Sequence, residues 1–143
     1  MRCAKICFAV LLAQSRHSTS DVIGYATQIA AQLGAHIIKV KLPTDYIEQD
    51  VARRLYEERG IPIATPVERV RHIVDCAFAG RRIVIFSGGA VVSDDETLLD
   101  EFRAIHDGGG FGSIIGRNSF QRPNADAIQM LNAAMEIYAE PIW

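Results

Sequence analysis

Gly34-Ala35-His36-Ile37-Ile38-Lys39-Val40-Lys41-Leu42-Pro43 is the stretch from which the fold is read. It is entered from a glycine, left through a proline, and apolar between, so it reads as a short strand. Side chains alternate along a strand, which puts Ile37, Lys39 and Lys41 on one face and His36, Ile38, Val40 and Leu42 on the other. Two lysines on one face of a buried strand are costly. A buried ammonium without a partner pays a heavy desolvation penalty and answers by lowering its pKa. At a separation of about 7 Å and an effective dielectric near 20, the pair repels by about 2 kcal/mol. That is a depression of roughly one to two pKa units. Such a lysine is an amine nucleophile toward carbonyl carbon. The competing reading of Lys39 is a snorkelling or salt-bridged side chain near a strand end.

Outward from this strand the chain alternates. Upstream, about residues 4 to 12 form a first apolar strand, followed by the polar loop Gln14-Ser15-Arg16-His17-Ser18-Thr19. Thr19 or Ser20 caps a helix with Val22, Ala26, Ile29, Ala30 and Leu33 on one face, stopped by Gly34. Downstream, residues 44 to 59 read as a helix through Ile47, Val51 and Leu55, with Gly60 as its stop. Thr65-Pro66-Val67-Glu68 is a capping box with proline at the first helical position, opening a helix with Val67, Val70, Ile73, Val74, Ala77 and Phe78 inward. A third strand, Arg82 to Phe86, runs into Ser87-Gly88-Gly89. Ser93-Asp94-Asp95-Glu96 opens a helix with Leu98, Leu99, Phe102 and Ile105. After Gly108-Gly109-Gly110 comes a fourth strand, Phe111 to Ile115, then Gly116-Arg117-Asn118. Past Pro123 a last helix presents Ile128, Leu131, Met135 and Tyr138. The order β-α-β-α-β-α-β-α, with an extra helix in the second crossover, predicts an α/β fold with a parallel sheet. A doubly wound open sheet and a piece of a (β/α) barrel both satisfy it.

The bulk numbers fit one globular domain over residues 1–143: 49% hydrophobic, 22% charged. A formal charge of −2 gives no reason to expect nucleic acid or an acidic membrane as partner. Cys3, Cys7 and Cys76 make neither a disulfide framework nor a zinc pattern, so reduced thiols in the cytoplasm are expected, with no metal and no cofactor. Met1 to Ala13 has the basic start and apolar centre of a signal peptide, but lacks a convincing small-x-small cleavage site; it serves equally as a buried parallel strand. No apolar run is long enough to span a bilayer.

Ligands of parallel α/β folds meet the carboxyl ends of the strands. Here those ends offer Lys39 and Lys41, then Ser87-Gly88-Gly89, then Gly116-Arg117-Asn118. Glycine lets backbone N–H groups approach an anion closely, and arginine adds a planar fork of donors. Either glycine turn alone is an ordinary tight turn; two on successive strands, one followed by arginine, point to a phosphate.

Three segments carry a resemblance. Gln32 to Lys41, Ile85 to Ala90 and Asp107 to Gln121 are similar, in order, to class I fructose-bisphosphate aldolase of the archaeal and bacterial type, a (β/α)8 barrel related to deoxyribose-phosphate aldolase. The likeness runs from about residue 20 to 139. It implies that Lys39 is the Schiff-base lysine on the sixth strand and Lys41 a second lysine acting on its pKa or on substrate. It also implies that Ser87, Gly88 and Gly89, with Gly116 and Arg117, bind a substrate phosphate. This chain resembles strands five to eight alone, half of a TIM barrel. The family's early acidic residue has no counterpart, and where the family has an acid/base tyrosine stands Ala13-Gln14-Ser15-Arg16-His17.

A half-barrel is expected to leave Ile37, Lys39, Lys41, Ile83, Ile85, Ser87, Phe111, Ser113 and Ile115 facing inward and two strand edges open. Self-association, or pairing with a complementary half, follows from that expectation. The function implied is a Schiff-base aldolase on a phosphorylated sugar, impaired as a lone half. The alternatives are a silent phosphosugar-binding remnant and a structural or interaction protein.

Overall fold

The computed structural model describes residues 6–8, 18–87 and 94–141. Its elements are β1 (Ile6–Phe8), α1 (Ser20–Gln32), β2 (Ile37–Lys41), α2 (Asp50–Arg59) and α3 (Pro66–Cys76), then β3 (Ile83–Ser87), α4 (Asp95–Asp107), β4 (Gly112–Ile114), α5 (Arg117–Phe120) and α6 (Asn124–Ala139). The strands pair in parallel in the order β1-β2-β3-β4.

That order decides between the two folds left open by the sequence. Crossovers between parallel strands are right-handed. When each strand is added on the same side of the last, every crossover helix falls on one face. A doubly wound sheet must instead reverse its strand order to put helices on both faces. The packing agrees: α1 lies on α3, α3 on α4 and α4 on α6. Among the described residues the helices therefore cover one face of the sheet. Its helix-facing side carries Ile38, Val40, Val84 and Phe86, all buried. The opposite face, with Ile37, Lys39, Ile83, Ile85 and Ser87, is half-buried.

Local sequence accounts for most helix ends. Thr65 Oγ1 accepts the Glu68 N–H at 3.2 Å while the Glu68 carboxylate accepts the Thr65 N–H at 2.8 Å, completing the capping box. Asp94 caps α4, accepting the Thr97 N–H at 3.0 Å. Gly60 leaves α2 in the left-handed conformation at φ 60°.

Several expectations are corrected. The helix read from residue 44 starts only at Asp50, because 44–49 are held extended against the start of α1. Ser20 Oγ donates to the Thr44 carbonyl at 2.6 Å, and the Asp21 carboxylate accepts the N–H groups of Glu48 and Gln49 at 3.1 and 3.0 Å. Thr19 stands at the N-cap of α1 without capping it. The buried face of α1 is Ile23, Gly24, Thr27, Ala30 and Ala31, whereas Ile29 and Leu33 face outward. The buried face of α6 is Ala127, Met130 and Ala134, and Ile128 and Met135 are exposed. In β4, Gly112 and Ile114 pair with Ile85 and Ser87, so they share the open face. Ser113 pairs with Phe86 and turns to the helices, where its hydroxyl meets Tyr138 Oη at 2.5 Å. The expected inward set Phe111, Ser113 and Ile115 is thus displaced by one residue. A strand of three residues containing a glycine has too weak an alternation to fix its own register.

The glycine run before β4 is required by packing. A Cβ on Gly108 would stand 2.5 Å from Val70 Cβ, and one on Gly110 would stand 2.7 Å from Ile105 Cγ2 and 2.8 Å from Phe86 Cε2. Each is far inside van der Waals contact. Gly110→Ala is expected to lower stability by about 1–3 kcal/mol, the usual cost of overpacking. Urea unfolding with unchanged slope and a reduced midpoint checks it.

Candidate functional site at the carboxyl ends of the strands

A cleft of about 220 Å³ opens where β2, β3 and β4 end, lined by Lys39, Ser87, Ile114, Gly116, Arg117 and Asn118, with Leu98, Phe102, Phe120 and Ile115, the last expected inward, completing its wall. Strand register builds it. Lys39 pairs with Ile85 and Ser87 with Ile114, so residues of three strands in separate rows of the sheet reach the mouth together. Gly116 precedes α5, whose first residue is Arg117.

Of the residues singled out from sequence, Lys39, Ser87, Gly116 and Arg117 meet in this cleft, although up to 78 positions separate them (Lys39 to Arg117). Lys41 does not line it and is exposed, so the cost of burying two ammonium groups on one strand does not arise there. Gly88 and Gly89, and His17, lie outside the described residues. Ser87 Oγ donates to the Val40 carbonyl at 3.1 Å, which commits its proton to β2. Asn118, expected with Gly116 and Arg117 at the end of the fourth strand, lines the cleft as well, whereas the sequence gives no sign of Phe120 or Ile114. Asn118 is buried and Phe120 is exposed on a four-residue helix too short to show any periodicity. Among the described lining residues there is no carboxylate, imidazole or phenol. Arg117 also borders a larger, shallower cleft of about 610 Å³ between α4, α5 and α6, across which Arg122 pairs with Asp95.

The exit of β2 is fixed from two sides. Arg69 of α3 donates to the carbonyls of Pro43, Ile63 and Ala64 at 3.2, 3.0 and 2.8 Å. Ser20 and Asp21 hold residues 44–49 from the other side. Burial would raise the Asp21 carboxyl, but the N–H groups of Gln49 and Glu48 are among the donors that outweigh it and keep its pKa below the ordinary value.

The most perturbed titratable groups lie elsewhere, between α1, α2 and α3. Tyr56 Oη meets His72 Nε2 at 2.5 Å, and Cys76 Sγ lies 3.9 Å from the same nitrogen. Burial pushes the tyrosine up to about 12 and the thiol up to about 11, and pushes the imidazole below its ordinary value. A neutral imidazole accepting from the phenol at Nε2 carries its proton on Nδ1. A thiol at 11 is no nucleophile near neutrality. Gly24 lets α1 approach: a Cβ there would stand 3.3 Å from both Cys76 Sγ and His72 Nε2. This cluster is packing, joining three helices.

No helix among the described residues is long and apolar enough to cross a membrane. No group of three or more His, Cys, Asp or Glu among them is placed to hold a metal ion.

A one-sided parallel β/α layer, with a lysine and an arginine meeting at its strand ends, is the architecture of the barrel enzymes that act at that end. The sequence profile described as DeoC/LacD family aldolase matches residues 8–122, and the chain belongs to that family. It is 34% identical over 134 residues to a probable fructose-bisphosphate aldolase class 1 of Chlamydia pneumoniae, covering 87% of this chain and 37% of that protein. It is 32% identical over 107 residues to fructose-bisphosphate aldolase class 1 of Halobacterium salinarum, covering 75% and 32%. In fold it is similar to the crystal structure of an archaeal fructose 1,6-bisphosphate aldolase, at TM-score 0.64 and 24% identity over 87% of this chain and 40% of the other. The chain thus spans about two fifths or less of the length of each.

His72 gives the cluster a pH signature. Its folded pKa is lowered, so the unfolded chain takes up a proton that the folded state resists once pH falls below about 6.5. That contribution to stability is present above the unfolded value and is lost as pH falls. His106, raised by its hydrogen bond to Asp107, acts with the opposite sign. His72→Gln keeps an acceptor for Tyr56 and is expected to lose less stability than the parent between pH 7.5 and 5.5. Urea midpoints measured across that range check it.

Proposed function

We propose that this chain is the lysine-bearing half of a class I, Schiff-base aldolase barrel acting on a phosphorylated sugar such as fructose 1,6-bisphosphate. Lys39 is the imine-forming amine. Ser87, Gly88, Gly89, Gly116 and Arg117 hold the phosphate end, with Lys41 at the rim. The observation that carries this reading is the meeting of Lys39 and Arg117 in one cleft, in a chain of this family.

The chemistry follows from the groups. The unprotonated Lys39 Nζ attacks the substrate carbonyl and forms a carbinolamine, which loses water to become an imine. The protonated imine accepts the electron pair released when the bond between the α and β carbons breaks. The proton of the β-hydroxyl passes to a base as that carbon becomes an aldehyde. Arg117 holds the phosphate and so fixes the carbonyl over the lysine.

Lys39→Ala is expected to abolish a borohydride-trapped adduct formed by the parent with fructose 1,6-bisphosphate, read by mass spectrometry of the Lys39 peptide. A parent protein without any adduct would sink the aldolase reading. The base is the weak link, since the described cleft offers no group for it. Positioned proton transfer contributes roughly 10²–10⁴-fold. A slow enzyme, or a phosphosugar-binding protein with negligible turnover, is the second reading supported by that same feature.

Phosphate binding is testable on its own. Inorganic phosphate at ten times its Kd should stabilise the folded chain by about 1.4 kcal/mol. Arg117→Ala is expected to remove that stabilisation, while Arg122→Ala, in the neighbouring cleft, retains it. Thermal unfolding with and without phosphate, at matched ionic strength, checks both.

A further inference from the structure

His106 is buried in the last turn of α4, where the helix dipole favours a cation. Each of its ring nitrogens meets an oxygen at 2.9 Å: Nδ1 the Asp107 carboxylate, Nε2 the backbone carbonyl of Glu140. An ionised carboxylate and a carbonyl only accept hydrogen bonds. A neutral imidazole has one N–H and one lone pair, so it satisfies one of these oxygens and turns a lone pair on the other. Only the imidazolium donates to both. Two acceptors on opposite sides of one buried ring therefore require a proton there.

The groups around the ring, among the described residues, agree. On α4 the neighbour is Asp107, whose carbonyl accepts from Arg71 of α3 at 2.7 Å. From α6 comes Tyr138, edge-on to the imidazole with ring centres 6.4 Å apart; burial raises its phenol, which stays neutral where histidine titrates. The Glu140 carboxylate adds to the favourable field, and the bonds to Asp107 and then to Glu140 hold the imidazole above its ordinary pKa.

What the proton holds is the end of α6. Glu140 is the C-cap of that helix, its N–H on the Ile137 carbonyl at 3.3 Å. Tyr138, two residues earlier, bonds Ser113 of β4 and packs in one cluster with Ile115, which also walls the Lys39 cleft. A lone pair turned on a carboxylate is worse than one turned on a carbonyl. The neutral ring therefore keeps Nδ1–H on Asp107 and drops Glu140.

We propose that His106 is a proton-operated clasp: as an imidazolium it fastens the end of α6 to the end of α4, and as pH rises and the proton leaves it releases the Glu140 carbonyl and loosens the last turn of α6. The clasp stands on hydrogen-bond geometry alone and holds whether or not the chain is an aldolase. Its sign follows from linkage. A folded pKa above the unfolded one stabilises fully below about 6.5, and that stabilisation is lost as pH rises through the folded value. His72 acts at lower pH and with the opposite sign.

Nitrogen-15 NMR and amide hydrogen exchange on the parent chain read the clasp directly. At about pH 6 both ring nitrogens of His106 should carry protons. Above about 6.5, protection of the amides of residues 136–140, corrected for intrinsic exchange, should fall by up to about tenfold per pH unit until the ring has titrated. Amides in the first half of α6 should keep theirs. His106→Gln, neutral throughout, should show no such step. A neutral His106 ring at pH 6 overturns the proposal. So does a ring that titrates while the last turn of α6 keeps its protection, or a step that survives in His106→Gln.

Discussion

The in-register pairing of β2 with β3 is the constraint on which the rest depends. Five consecutive Cα pairs, Ile37 with Ile83 through Lys41 with Ser87, lock the two central strands. Because the side-chain period is two, a slip of one residue would turn Lys39 into the helix layer and Ile38 out of it. The buried row Ile38, Val40, Val84 and Phe86 makes that slip expensive: each would leave an apolar core for the open face. Packing on one side of the sheet therefore aims the amine on the other side. Arg69 and Asp21 then fix the chain immediately beyond β2, so the lysine strand is held at its end as well as along its length.

What could be read from sequence followed how many choices each segment left. α3 and α4 each carry one apolar stripe and an explicit start signal, and their buried residues fall close to where periodicity puts them. α1 and α6 each carry two stripes. On α1 the side that packs is the one with small residues, Gly24, Thr27, Ala30 and Ala31, because close approach to α3 and the sheet gains more contact than a larger side chain held further off. Hydrophobicity alone ranks the stripes the other way. The register of β4 departs by one residue from its sequence alternation for a related reason: it is imposed from outside, by the close approach of Gly110 to Phe86 and the Phe111 N–H bond to the Val84 carbonyl. Three residues could not announce it.

The site divides in the same manner. Lys39 and Arg117 were legible because a charge at the end of an apolar strand is anomalous and strand ends converge in this class of fold. Phe120 was not, since it belongs to a single helical turn whose placement depends on α6 beneath it. The perturbed trio of Tyr56, His72 and Cys76 carries the opposite lesson. Its shifted pKa values come mainly from burial, and it serves helix packing, so perturbation identifies chemistry only where a cleft gives a ligand access.

The lysines show why one-sidedness matters beyond topology. Two ammonium groups on an apolar strand are prohibitive if both faces of that strand are buried, as in a doubly wound sheet. On the open face the first, Lys39, is only partly withdrawn from water and the second, Lys41, stays in it, so the strand bears both.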